Sequence, residues 1–242
     1  MAWRRHLFHT RTSTRTTWKL RLAVLAVVVL ASAATRGVWT AQLGRSLVCE
    51  EDAAPSDLLL VENFDPDYLV FERAAALQAA GLAPRALVPV QASSDPGVPN
   101  PVSKGIAEVM ARQARLHIWE VLPIREAEPI TLNAAGQLRD HLVREHVQSL
   151  VLVTRAFRSR RSALAYRAVL GPAGIQVRCA PVFGLKRPET WIETWHGVQG
   201  VVEEQVKLQY YRFYVLPVLA RGSHGARAVG SGSGGGPSTG AS

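Results

Sequence analysis

The sequence predicts an α/β protein with a mainly parallel sheet of about five strands, a Rossmann-like three-layer fold, preceded by an N-terminal transmembrane helix. Short apolar runs recur near positions 57, 85, 117, 149 and 175. The segments between them are long enough for a crossover helix and too long for hairpins, so we expect parallel strands. Runs such as 58–61 and 150–153 are apolar throughout, which is typical of strands buried on both faces.

The apolar segment near the N-terminus has two interpretations. Residues 22–34, LAVLAVVVLASAA, follow a basic stretch, and the sequence ASA within them fits a cleavable signal peptide. Extended to Leu43, the segment approaches the roughly 20 residues that span a bilayer, with Trp18 and Trp39 as interfacial anchors. We favour the uncleaved anchor, residues 22–43, and leave the signal peptide open.

The net charge of +9 comes mainly from the two ends of the chain. Removing six cations in residues 1–21 and two in the final tail leaves +1 for everything between. A nearly neutral domain lacks the broad basic face that nucleic-acid binding needs, so no nucleic acid is expected as a partner. The six leading cations predict a single-pass protein of the cell membrane, with residues 1–21 cytoplasmic and the domain extracytoplasmic.

Helical patterns fill the segments between the predicted strands. The first ends at Gly81, a natural helix stop. A later aromatic and aliphatic stripe is expected to pack on the sheet, although YYRFYVLPVL, from Tyr210, could instead touch a membrane surface. Residues 221–242 are Gly/Ser-rich and predicted to be disordered. The stripe consists of Trp191, Trp195, Val198, Val202, Val206 and Tyr210.

The cysteines and histidines form no metal motif by spacing. Cys49 and Cys179 would lie in a compartment that permits disulfides, but two isolated cysteines are more often separate buried residues. Whether they pair is left open. We expect no metal site, and no phosphate-binding loop or Gly-x-Ser-x-Gly motif occurs.

Arg161 interrupts the apolar face of the helix that follows the fourth strand. If that helix begins near Ser159, a suitable N-cap, Arg161 points to the middle of the buried face. A buried guanidinium needs a partner. The partner is either Glu126 or Glu128, or an anionic ligand held with Thr154 and the helix N-terminus. Four further arginines are expected to form a solvated rim: Arg155, Arg158, Arg160 and Arg167.

An acidic segment lies between the third strand and its helix. Glu126 and Glu128 precede Thr131 and Asn133, either of which could cap the amides of the 134–146 helix. Capping accounts for the last two residues and leaves both glutamates available for a ligand.

Five segments carry a resemblance to a known family, in the family's order: LVCEEDAAPSDLLLV, FERAAALQAAGLAP, EAEPITLNAAGQL, LVTRAFRSRRSALAYR and EEQVKLQYYRF. Through them the chain, from about Ser46 to Pro217, resembles the YdcF-like family, which includes SanA and ElyC. The resemblance implies a Rossmann-like sheet, frequent membrane attachment and a role in the cell envelope. It also implies a nucleotide-like ligand such as S-adenosylmethionine, and Arg73 is similar to the family's arginine on the first helix.

The chain departs from the family pattern in three places, which involve four residues. Glu62 and Asn63 stand where glycines are usual, Arg158 replaces a common histidine, and Ala134 replaces a common acid. Missing proton-transfer groups leave the reaction and the cofactor undefined, and whether the chain is an enzyme stays open.

Two hypotheses follow for the domain, residues 46–220. It binds an anionic small molecule or envelope precursor at the strand ends, or it is a non-catalytic interaction or scaffold descendant of the family. The candidate ligand-binding residues are Arg161, Thr154, Glu126, Glu128, Thr131, Asn133 and Arg73.

Overall fold

A computed structural model describes residues 17–221 except residues 53 and 96. The chain divides into two compact units, Met1–Thr40 and Ala41–Ser242. Most of the basic leading segment and the Gly/Ser-rich stretch, residues 1–16 and 222–242, lie outside the described residues.

The second unit contains a five-stranded sheet in which every pairing is parallel. The strand order is β3-β2-β1-β4-β5, which confirms the predicted α/β class. The strands are β1 (Leu58–Val61), β2 (Ala86–Gln91), β3 (Trp119–Ile124), β4 (Ser149–Arg155) and β5 (Gln176–Val182).

The central strands are apolar because both faces of the sheet are covered. Leu58 and Leu60 of β1 point into one core with Leu150 and Leu152 of β4. The alternate residues of both strands, including Leu59, belong to the core on the opposite face. Side chains of a strand alternate between faces, so two buried faces require continuous apolar runs.

Helices cover the sheet on both sides and give the expected three layers. α3 and α4 pack on one core, and α5 and α6 pack on the other. Helix α7 packs on α6, and a π-helical turn, Tyr211–Val215, follows it. The helices of this unit are α3 (Tyr68–Ala79), α4 (Pro101–Ala114), α5 (Ile130–Arg144), α6 (Ala156–Leu170) and α7 (Trp195–Tyr210).

Two predicted helix starts are wrong. Helix α6 begins at Ala156, and Ser159 is not its cap but a buried residue of the first turn that accepts a hydrogen bond from the Cys49 amide. Helix α5 begins at Ile130 after Pro129, with no side-chain cap. Polar side chains near a helix start can serve other partners, and capping preference alone does not locate the first residue.

Cys49 and Cys179 form a disulfide across 130 positions of sequence, a pairing that the sequence left open. The bond fixes the neck, which we define as residues 41–49, to β5. Backbone and side-chain bonds reinforce it, since Arg160 donates from its amide to the Leu47 carbonyl and from its guanidinium to the Val48 carbonyl. The neck is therefore an integral part of the domain surface.

The expected packing of the aromatic stripe is also wrong for most of its length. Trp191 is buried, but Trp195 is 74% exposed and Val206 is 64% exposed. A different face of α7 packs inward, because Val201 and Leu208 join the core that holds Trp191. Helix α7 is thus apolar on two faces, only one of which the domain covers.

The first unit contains helix α1 (Trp18–Ala34) and the start of helix α2 (Arg36–Arg45). No α1 residue is buried. Within the described residues no single helix is both long and apolar enough to cross a membrane, whereas α1 and α2 meet that test together as a bent pair. A membrane anchor is therefore compatible with the length and composition of this segment.

Candidate functional site

The strand order places a crevice beyond the carboxyl ends of β1 and β4. Chain connections leave β1 toward β2 on one side and β4 toward β5 on the other. Loops after two such neighbouring strands diverge, and open parallel sheets bind ligands in the gap between them. The residues that follow β1 and the first turns of α6 therefore form the walls of the candidate site.

Glu62 fills the position directly after β1. Its carboxylate is 4% exposed and accepts hydrogen bonds from the hydroxyls of Thr154 and Ser162, the latter at 2.8 and 2.9 Å. A long buried side chain thus occupies the space that glycines would leave open. The neighbouring Asn63 is also buried, and its Oδ1 has no hydrogen-bond partner within the described part of the chain.

Arg161 is buried, as its helical phase predicts, and its partner is Glu204 on α7. The guanidinium is 7% exposed and donates through Nε to the Glu204 carboxylate at 3.0 Å. It also donates through Nη1 to the Thr131 hydroxyl at 3.1 Å and lies 5.4 Å from the centre of the Tyr211 ring. The expected internal partners, Glu126 and Glu128, are therefore wrong.

The ion pair sets the protonation of the groups around it. Burial by itself would lower the pKa of Arg161, but the adjacent Glu204 carboxylate outweighs burial and the pKa is raised. Burial raises the pKa of Tyr211, an effect that the Arg161 charge opposes. Burial, together with the Glu62 charge, raises the pKa of Tyr166 well above its usual value. Arg161 stays charged, and both phenols stay neutral, at physiological pH.

Arg158 is held more loosely than Arg161. Its nearest carboxylate oxygens belong to Asp65, at 3.4 Å, and Glu204, at 3.7 Å. Its Nε is buried and has no hydrogen-bond partner among the described residues. Contacts of this length are weak, so Arg158 retains donor capacity for a ligand.

Two clefts open on either side of Arg158. The α5–α7 cleft, of about 450 Å³, lies between the loop after β1 and helices α5, α6 and α7. The β5–α7 cleft, of about 490 Å³, lies between the start of α6, the loop after β5 and α7. Asp65 and Arg158 line both. The α5–α7 cleft is lined by Phe64, Asp65, Glu128, Pro129, Ile130, Thr131, Arg158, Arg161, Lys207, Tyr210 and Tyr211.

The remaining arginines of the predicted rim have protein partners. Arg155 contacts Asp67 at 2.6 Å, and Arg167 contacts Glu51 at 2.6 Å. Arg160 binds the neck, as described above. The description of these residues as a purely solvated rim is therefore wrong, because each fastens a neighbouring segment to α6.

Three predicted site residues lie away from the α5–α7 cleft. Glu126 is exposed and lies 3.4 Å from the side-chain amide of Gln91. Asn133 donates to the carbonyls of Ala127 and Pro129, so it does not cap α5. Arg73 is exposed on α3, where it lines a separate cleft beside β5. The α5–α7 cleft brings together Arg161, Thr131 and Glu128, whereas Thr154 is buried and donates to Glu62.

One cluster of potential metal ligands forms where the sequence showed no metal spacing. Glu120 of β3 and two residues close to the end of α5, His141 and Glu145, place one ligand atom each within 4.8 Å of one another. Arg85 contacts both carboxylates. The Arg85 guanidinium already neutralises both carboxylates, so we interpret the cluster as an ion-pair network.

Sequence reasoning missed Glu204, Lys207 and Ser162. Glu204 is the one charged residue on the inward face of α7, where Val201 and Leu208 flank it at helical spacing. A buried-face acid in one helix and a buried-face arginine in another form a recognisable pair. Comparing the buried faces of α6 and α7 could therefore have identified this pair from the sequence.

Comparison of the chain with protein-family models, with curated proteins and with solved structures gives no match in any of the three.

Proposed function

We propose that this protein is a membrane-attached, YdcF-like domain that binds an anionic small molecule or envelope precursor in the α5–α7 cleft. The observation that carries the proposal is Arg158, a partly buried cation at the crevice of the sheet. Its Nε makes no hydrogen bond within the described part of the chain and lies 3.7 Å from the Glu204 carboxylate. An arginine fork suits phosphate and carboxylate groups. Lys207 lines the same cleft and adds a second cation, which pairs with Glu203.

Arg161 supports the ligand contact indirectly. Glu204 already neutralises its charge, and three of its five N–H donors bond to that carboxylate and to Thr131. It therefore orients the wall of the cleft, while Arg158 contacts the ligand. The sequence favoured Arg161 as the residue that recognises the ligand. We assign that role instead to Arg158, about one helical turn earlier.

A specific observation favours a second candidate, a non-catalytic interaction domain. Glu62 blocks close approach to the backbone after β1, and the described groups nearest the crevice are engaged with one another. An interaction domain would keep the scaffold and use its outer surface. The two candidates differ in whether the cleft has a ligand.

Thermal unfolding of the detergent-solubilised full chain tests the proposal. The probes are pyrophosphate, a nucleoside diphosphate and S-adenosylmethionine, each added in a concentration series. At least one probe is expected to raise the melting temperature, because a ligand that binds only the folded state stabilises it. The Arg158→Gln variant should lose this shift, since it lacks the charged fork.

Arg139→Gln is the matched control, because Arg139 is an exposed helix residue paired only with its neighbour Asp140. It should keep the full shift. Equal shifts in both variants would contradict the role of Arg158, and no shift with any anion in the parent chain would favour the interaction domain.

A further inference from the structure

We infer that the exposed apolar face of α7 docks on the surface of a lipid membrane; the inference rests on the proposed membrane attachment. The outer face, as we call it, consists of Trp195, Val202, Val206, Tyr210 and Phe213. These side chains are between 48% and 74% exposed. They are spaced by seven, four, four and three residues, which places them on one side of a helix.

The outer face is a second apolar surface, separate from the one that holds α7 on the domain. The inward face contains Val201 and Leu208 of the core, followed by Tyr211 and Val215 of the π-helical turn. A helix that only covers a domain needs one apolar stripe, and its opposite side is normally polar. The outer face therefore requires a second apolar neighbour.

Helix α7 is hydrogen-bonded to the neck. The Gln205 side-chain amide donates to the Leu43 carbonyl at 3.3 Å and to the Ser46 hydroxyl at 2.6 Å. Leu43 and Ser46 belong to the neck, which follows the N-terminal unit in sequence. Helix α7 is thus fastened to the segment through which the chain enters the domain.

Charge favours lipid over a second copy as the occupant. On this stretch Lys207 pairs with Glu203, and the residues beyond it, 208–221, contain Arg212 and Arg221 and no acid. Pairing two copies along this stretch would oppose cation with cation, whereas anionic lipids supply the complementary charge. Aromatic residues beside lysine and arginine are also the composition of helices that lie in the membrane interface.

Site-specific photocrosslinking in the full chain tests the inference. A diazirine amino acid replaces Val206 or Phe213, and the protein is reconstituted into vesicles of phosphatidylglycerol and phosphatidylethanolamine. Val109 is the matched control, because it is an exposed valine on helix α4, 58% exposed against 64% for Val206. All three positions are on the surface, so folding should be unaffected.

Lipid adducts are expected at positions 206 and 213, on the order of ten times the yield at 109, because a docked helix buries its apolar face in the headgroup region. If the protein floats with the vesicles but positions 206, 213 and 109 give equal adduct yields, the docking face is wrong and the membrane attachment still holds. Adducts to a second protein chain would show that a copy occupies the face instead. A chain that does not float with the vesicles would overturn the attachment and this inference with it.

Discussion

Two buried charges of the domain have different kinds of partner. Arg161 meets the carboxylate of Glu204, whereas Glu62 is held by the hydroxyls of Thr154 and Ser162. A buried ion must be paired or well hydrogen-bonded, and each arrangement meets that requirement. Arg158, by contrast, has only long contacts to carboxylates within the described residues, so it keeps donor capacity for a ligand.

Replacing Glu204 by glutamine should destabilise the domain strongly. The change leaves the Arg161 charge buried without a carboxylate, which costs about 3–5 kcal/mol. The adjacent Glu203 offers a control, since its side chain is 54% exposed and pairs with Lys207. Glu203→Gln should cost less than about 1 kcal/mol. Urea unfolding of the two variants measures the difference, and similar losses would contradict a buried ion pair.

The burial of Arg161 was predictable, but its partner was not. Helical phase is a local property, and it places residue 161 on the face of Leu164 and Ala165 whether the helix begins at Ser159 or Ala156. Glu204 lies 43 positions later in sequence. Its proximity depends on α7 packing against α6, which no local pattern specifies.

At the scale of elements, a single carboxylate joins the amino ends of β1 and β4. Asp57 accepts hydrogen bonds from the amides of Gln148 and Ser149 at 2.7 and 2.8 Å. These bonds, first that from Gln148, hold the pKa of Asp57 below its usual value, against the opposing effect of burial. The bonds align the two strands that border the crevice.

The stabilising effect of Asp57 should depend on pH. Because its pKa is lowered in the folded state, its contribution is complete above the usual aspartate value of about 3.9 and is lost as the pH falls through the folded pKa. Asp57→Asn should therefore be less stable than the parent at pH 6, and the gap should shrink below pH 4. Urea unfolding at a series of pH values measures it. A gap that stays constant to pH 2 would exclude this linkage.

The strands could be predicted closely, whereas the orientation of α7 could not. Continuous apolar runs occur in few other structures, so positions such as 58–61 and 150–153 indicated buried parallel strands. Helix α7 has apolar residues on two faces, and periodicity alone does not tell which one packs inward. The stripe with more aromatic residues, which the sequence predicts to pack inward, is exposed at Trp195, Val202, Val206 and Tyr210.

At the scale of the whole molecule, the disulfide joins the neck to the last strand of the sheet. Replacing both Cys49 and Cys179 by serine should lower the free energy of unfolding by about 2–5 kcal/mol, since the link closes a long loop in the unfolded chain. Reductant should cause a comparable loss in the parent and none in the double variant. An unchanged parent under reductant would indicate that the cysteines are not bonded.

The proposed attachment also predicts the side of the membrane on which the domain lies. Cations ahead of the apolar segment favour a cytoplasmic N-terminus, and a disulfide forms most readily outside the cytosol. Protease added outside spheroplasts should cut the domain, for which the exposed loop at Leu185 is an accessible site. A cytoplasmic protein in the same cells serves as the control and should stay intact. If the protease cuts the domain only after detergent is added, the domain lies on the cytoplasmic side and the predicted topology is wrong.

The disulfide also changes how a mechanical load would pass through the chain. A pull between the N-terminal segment and the C-terminus would travel from Cys49 directly into Cys179, so the chain between them carries no tension. The helices and strands that form the crevice lie almost entirely inside that interval. Under force spectroscopy the loop that the disulfide closes, with a sequence separation of 130, should add roughly 450 Å of extension only after reduction, at about 3.5 Å per residue. A load applied between the two ends would thus stretch the neck and the C-terminal helix while the sheet stays folded.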